Sequence, residues 1–288
     1  MTTTMKKQIL TLCGILFASF AITAQVQTPQ PSPSAKIEQR VGLTDITLEY
    51  SRPAMRGRTI MGDLIPYGEV WRTGANENTK ITFSDDVKIG GKALKKGTYA
   101  VYTVPNASSW DVIFYSDANN WGNPEKWDDS KVALKTTVST ESLPFDIESF
   151  TILFGDITNN SAMLDILWER TYVGVKIEVP TEKKAMASIE DALNGPSARD
   201  YFSSAMYYFQ EGKDIKKAKE WVDKAVGMQE EGKVPFWMLR QKALIYHKAG
   251  DKKGAIKAAK QSLAAAEEAN NPDYVKMNKD SLKEWGAM

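Results

Sequence analysis

The sequence predicts an α+β chain of two domains, an antiparallel β-sandwich (or open barrel) followed by an all-α helical-hairpin repeat. Three observations predict it. Between Lys36 and Pro180, runs of about five to eight residues alternate in polarity and are separated by turn residues, the two-residue beat of strands. Beyond Pro180 the apolar residues recur at helical spacing. Within that second part, Ala205, Tyr208 and Gly212 recur as Ala243, Tyr246 and Gly250 at one offset of 38 residues. With 288 residues, 42% of them hydrophobic, the chain can bury a sizeable core in each domain.

The elements follow in chain order. Residues 1–24 read as a signal peptide: Lys6 and Lys7 supply a positive start, an apolar run from Ile9 to Ile22 follows, and Ala24 precedes the expected cut. The run is too short to span a bilayer comfortably, and no later apolar run reaches transmembrane length. Cys13, with Leu12 rather than a small residue before it, reads as a discarded signal-peptide residue. The mature chain then has no cysteine, hence no disulfide and no thiolate metal site. The expected location is the periplasm or cell surface. Residues 25–35, with Pro29, Pro31 and Pro33 among Gln, Thr and Ser, read as an extended tether.

Residues 36–180 read as the β domain. Ile46, Leu48 and Tyr50 alternate with Asp45, Thr47 and Glu49. Val87–Ile89 leads into the Gly90-Gly91 hairpin signal. Thr98–Val104 ends at Pro105. Trp110, Val112 and Phe114 share a face, as do Phe150, Ile152 and Phe154, and Leu164, Ile166 and Trp168. Val173–Val179 closes the domain. In residues 181–288, Thr181 is the expected cap of a helix through Leu193, Asn194-Gly195-Pro196 stops it, Ser197 starts the next, and two hairpins and a final helix near Tyr274–Trp285 follow. The repeat resembles the tetratricopeptide repeat, with a blurred Trp and Leu opening and two visible units. Its outward aromatic residues would dock an envelope protein or peptide.

The stretches Tyr50–Arg58 (YSRPAMRGR), Pro66–Asn76 (PYGEVWRTGAN), Gly97–Pro105 (GTYAVYTVP), Trp110–Phe114 and Trp121-Gly122 resemble the bacterial domain-of-unknown-function family numbered 2911, over about residues 34 to 180. The resemblance implies an exported protein, often with helical repeats appended, and brings no catalytic residue with it.

Charge and residue inventory exclude several function classes. Without Lys6 and Lys7 the chain carries 35 basic and 36 acidic residues. The β part has 16 and 20, and the helical part 19 and 16. Neither has the basic stripe that nucleic acid requires. One histidine, His247, leaves no multi-histidine zinc site and no Cys/His nucleophile. No phosphate-cradling glycine loop or dinucleotide fingerprint is present. The sequence calls for no cofactor and no metal.

Two constellations remain as ligand-binding candidates. Arg52, Arg56, Arg58 and Arg72 lie on or beside a long connection with Asp63, Glu69, Asn76 and Glu77. The guanidinium fork suits carboxylate or phosphate. Either these arginines line an anion pocket, or they pair with Asp63, Glu69 and Glu77 and pin the loop. The loop from Ser116 to Ser130 carries Trp121 and Trp127 among Asp and Asn. Either its indoles stack on a glycan or peptide, or they plug an open end of the β core. Asp117, Asn119, Gly122 and Asp128 fall at EF-hand positions, but Trp121 stands where a ligand oxygen is needed and no helices flank the loop. Asp165 and Glu169 read as a solvated strand face, roughly 13 Å apart. That spacing exceeds what either glycosidase mechanism uses. The expected function is a non-catalytic ligand-binding or protein-interaction scaffold, taking a glycan or anionic small ligand. The alternative is a carboxylate-dependent hydrolase acting on glycan or peptide.

Overall fold

A computed structural model describes residues 28–288 except Glu231. The expected signal peptide, with Cys13 and the cut after Ala24, lies outside the described residues, as do residues 25–27. The chain forms two compact units, one ending at Val179 and one spanning Pro180–Met288.

The first unit is a nine-stranded antiparallel sheet of β1 (Ser34–Val41), β2 (Thr44–Ser51), β3 (Thr79–Phe83), β4 (Val87–Ile89), β5 (Lys92–Leu94), β6 (Gly97–Pro105), β7 (Ser109–Tyr115), β8 (Val132–Gly155) and β9 (Ser161–Glu178). Their spatial order is β1-β2-β3-β6-β7-β8-β9-β4-β5. Strand β8 serves two wings. Its first part pairs with β7 as far as Ser139, and from Thr140 onward it pairs with β9. Register shifts after Ser142 and around Ile147 loosen the ladder where β8 and β9 leave the first wing.

Polarity patterns set which face is inward. Ile46, Leu48 and Tyr50 are buried while Asp45 and Glu49 are exposed. The β4–β5 hairpin turns at Gly90 and Gly91, both at positive φ, as a two-residue turn matched to strand twist demands. The wings enclose one core. Tyr50 of β2 meets Phe150 of β8 edge-on at 5.9 Å, and Phe150 meets Trp168 of β9 at 5.6 Å. The Tyr50 hydroxyl donates to the Ile152 carbonyl at 2.9 Å and accepts from the Ile152 N–H at 3.0 Å, so one phenol stitches the wings together.

Three expectations about the sheet unit are corrected. Ser34 and Ala35 belong to β1 rather than to a tether, because their backbone pairs with Ser51 and Tyr50 of β2. Asp165 is not on a solvated face. It is 8% exposed, and its Oδ1 accepts from the Tyr172 hydroxyl at 2.8 Å. Glu169 is half-buried at φ 53°, where the strand breaks its alternation, and its carboxylate accepts from the N–H groups of Ile60 (3.2 Å) and Met61 (3.0 Å).

The second unit contains α1 (Thr181–Ala192), α2 (Ala198–Gln210), α3 (Ile215–Gly227), α4 (Phe236–Lys248), α5 (Lys252–Glu268) and α6 (Pro272–Glu284). Thr181, expected as a cap, is instead the first helical residue, with Pro180 before it. Ser197 and Asp200 form a capping box at α2, and Asp214 and Asp251 cap α3 and α5. Ala205, Ala218, Ala243, Ala255 and Ala259 are buried, which lets neighbouring helices approach closely. Gly212 and Gly250 take positive φ after α2 and α4. The following N–H groups of Lys213 and Asp251 return to the carbonyls of Tyr208 and Tyr246, so the same helix ending recurs 38 residues on. No helix among the described residues is long and apolar enough to cross a membrane.

Two stability predictions follow from these bonds. Tyr50→Phe leaves the buried N–H and C=O of Ile152 unpaired and lowers unfolding stability by about 1–3 kcal/mol, read as a reduced urea midpoint at unchanged slope. Burial pushes the Asp165 carboxyl above the ordinary aspartate range, against the Tyr172 hydroxyl bond, which lowers it. The folded state therefore holds that proton more tightly than the unfolded chain. This contribution to stability is complete below the unfolded value and is lost as pH rises through the folded one. Asp165→Asn should melt above wild type at pH 7, with the advantage shrinking toward pH ~4.

Candidate functional site

The site is built on the long connection between β2 and β3. Its start is laid beside β8: Met55 N–H donates to the Glu148 carbonyl and Phe150 N–H to the Pro53 carbonyl, both at 2.8 Å. Its middle is anchored by Trp71, whose backbone exchanges hydrogen bonds with Thr103 of β6 at 2.8 and 2.9 Å. The Trp71 indole is buried, stacked on Trp168 at 5.8 Å and edge-on to Trp110 and Phe150. Its Nε1 donates to the Gly74 carbonyl at 3.2 Å. Gly74, at φ 148°, passes so close to its neighbours that a Cβ would stand 3.1 Å from the Ser51 carbonyl oxygen and 3.2 Å from Thr79 Oγ1. Arg56, Thr73 and Asn76 hold left-handed φ values without being glycine, a local cost borne by the surrounding bonds.

The arginines do not pin the loop by ion pairs. Among the described residues no carboxylate lies within 4.0 Å of the guanidinium of Arg52, Arg56, Arg58 or Arg72, and Glu77 pairs instead with Lys80 at 3.2 Å. Carbonyl oxygens take the place of carboxylates. Arg52 donates to the Phe150 carbonyl and Thr151 Oγ1, fixing β2 to β8. Arg58 donates to the carbonyls of Met55 and Ala54, closing its own turn. Arg56 donates to the Pro31 carbonyl at 2.8 Å. Backbone carbonyls orient a guanidinium without cancelling its charge. Among the described residues the Arg72 side chain has no hydrogen-bond partner, and its Nε is shut off from solvent.

Arg56, Arg58, Arg72 and Glu69 line one cleft of about 490 Å³, with Trp71 and Trp168 in its wall. Three guanidinium groups against one carboxylate make it electropositive. Arg52 does not line it. A second groove, about 360 Å³, adjoins it and is lined by Lys36, Glu49, Ser51, Asn76, Glu77, Lys80 and Trp121. Ser32 borders both. The stretch expected to be a free tether is a strap here: the Ser32 carbonyl accepts from Asn76 Nδ2 at 3.1 Å and the Pro33 carbonyl from Arg52 N–H at 2.9 Å. Proline's missing N–H and fixed φ leave the strap extended, with its carbonyls free to be gripped.

The second predicted loop meets the first. Asn123 Nδ2 donates to the Val70 carbonyl at 2.8 Å, and the Arg72 Cδ lies beside Gly122. Its two indoles part company. Trp127 is corrected from ligand contact to packing, not at an end of the main core but on a separate cluster: it packs on Tyr102 at 5.4 Å and Tyr115 at 4.8 Å, and its Nε1 donates to Asp129. Trp121 is 74% exposed. The calcium-like positions are otherwise engaged. Lys131, 2.8 Å from Asp117, holds that carboxyl below its ordinary range, and Asp128 caps the short turn Asp129–Lys131. Among the described residues no three His, Cys, Asp or Glu side chains stand together to hold a metal. Pro31, Ser32, Lys36, Glu49, Ser51 and Lys80 were not singled out from the sequence, because their place at the clefts comes from β1–β2–β3 pairing rather than from local spacing.

No curated protein matches the chain. A family model described as a protein of unknown function, DUF2911, matches residues 32–177, which run from the strap into the end of β9 and include both loops and all of the cleft linings except Gln30 and Pro31. The chain therefore belongs to the DUF2911 family.

Proposed function

We propose that this is an exported, non-catalytic binding protein whose sheet unit takes an anionic ligand in the arginine cleft. The observation that carries this reading is Arg72. Its Nε is shut off from solvent, its terminal N–H groups have neither a hydrogen-bond acceptor nor a carboxylate among the described residues, and a carboxylate or phosphate oxygen in the cleft is the acceptor that fork suits. Arg56 and Arg58, oriented by neutral carbonyls, keep the cleft positive. Glu69 is the single carboxylate among its described lining residues, whereas a two-carboxylate hydrolase needs a pair.

The helical unit is read as a tetratricopeptide-like interaction module, supported by the recurring glycine ending and the small-residue seams. Its partner would be an envelope protein or peptide. Export rests on the charged start, apolar run and Ala24 of the first residues, with the periplasm or cell surface as destination.

Two measurements test this reading. Calorimetric titration of the mature chain with phosphate, sulfate, acetate and citrate should detect binding of at least one. Arg72→Met should weaken that binding by about 10–100-fold while melting no lower than wild type in ligand-free buffer, since no protein partner is lost. Failure of all four anions to bind, or equal binding by the variant, overturns it. Intact mass of protein recovered from the bacterial envelope should correspond to a chain beginning at Gln25; a mass retaining residues 1–24 counts against cleavage.

A further inference from the structure

We infer that the groove beside Trp121 is a second binding site, distinct from the arginine cleft, and that it takes a neutral saccharide. Trp121 leaves 74% of its surface in solvent, the most of any large hydrophobic residue described, although an indole is among the side chains that gain most from burial. Its loop is not a loose tip. The fully buried Tyr102 donates from its hydroxyl to the Gly122 carbonyl at 3.1 Å, and Asn123 on the other side is tied to Val70. Gly122 takes φ 85°, which lets the chain reverse directly after the indole. The backbone next to the exposed indole is thus anchored.

What faces that indole selects the ligand. The groove's charged side chains are two lysines, Lys36 and Lys80, and two glutamates, Glu49 and Glu77, so formal charge cancels, unlike in the neighbouring cleft. Asn76 is held in its left-handed conformation by the strap carbonyl, and Lys80 is held by Glu77. An anchored peptide side chain needs an apolar socket, and most of this lining is polar. A pyranose needs the opposite combination: one flat aromatic surface for its C–H face, and carboxylate, amide and ammonium groups for its hydroxyls. The volume, at the lower end of small-molecule sites, suits a short stretch of sugar units.

The test is calorimetric titration of the mature full-length chain with cellotetraose and with chitotetraose. Wild type should bind at least one of them, and Trp121→Ala should weaken that binding about tenfold or more. Its melting temperature should stay at the wild-type value, because the side chain is exposed. Added phosphate should leave the tetrasaccharide affinity unchanged, which separates this site from the anion cleft. Absence of binding by wild type at millimolar concentration overturns the inference. So does equal binding by Trp121→Ala, or a lowered melting temperature for that variant, which would make the indole a packing residue.

Discussion

The sheet unit depends on one buried indole. Trp71 belongs to a long connection with little regular structure, yet it lies in the core between Trp110, Phe150 and Trp168. A connection of this length has no ladder to define its path, and closing it is entropically unfavourable. Trp71 offsets that cost by filling core space, pairing its backbone with Thr103 and bonding the Gly74 carbonyl across its own turn. With Trp71 fixed, the next residue cannot wander. Arg72 is held at the protein surface beside Gly122, and the arginine cleft is a consequence of core packing.

The fold was legible where burial is one-sided. Ile46, Leu48 and Tyr50 announce β2 because every second residue is buried, and Gly90-Gly91 announces its hairpin because both positions need positive φ. Strand β1 was hidden because it is an edge strand and its inward residues are half-buried. The first part of β8 was hidden because it alternates Thr, Ser and Lys with small apolar residues, a pattern that also suits loops. The change to a helical beat at Pro180 was legible because the hydrophobic period itself changes there, and β9 ends at Glu178 with α1 beginning at Thr181.

The site was legible as two separate loops but not as a single region. Sequence spacing places Arg72 about fifty residues from Trp121, and only the pairing of β6 with β3 and β7 brings their loops together. Nor did spacing say which partners the arginines take. Nearby Asp63, Glu69 and Glu77 suggest ion pairs, whereas the geometry supplies carbonyls from residues 31, 54, 55 and 150. The difference matters chemically, because a carbonyl aims a guanidinium and leaves its charge for something else. Trp121 and Trp127, six positions apart, looked equivalent. One covers the Tyr102–Tyr115 cluster and the other stands 74% exposed.

The strap at Pro31–Pro33 has a practical corollary. Because it is gripped between the two clefts, the described chain begins on the same side of the sheet unit that carries both. A fluorophore attached at Gln30, which lines the second groove, would sit within sensing distance of an arriving ligand. Immobilising the protein on a chip or resin through that end would crowd the clefts against the support.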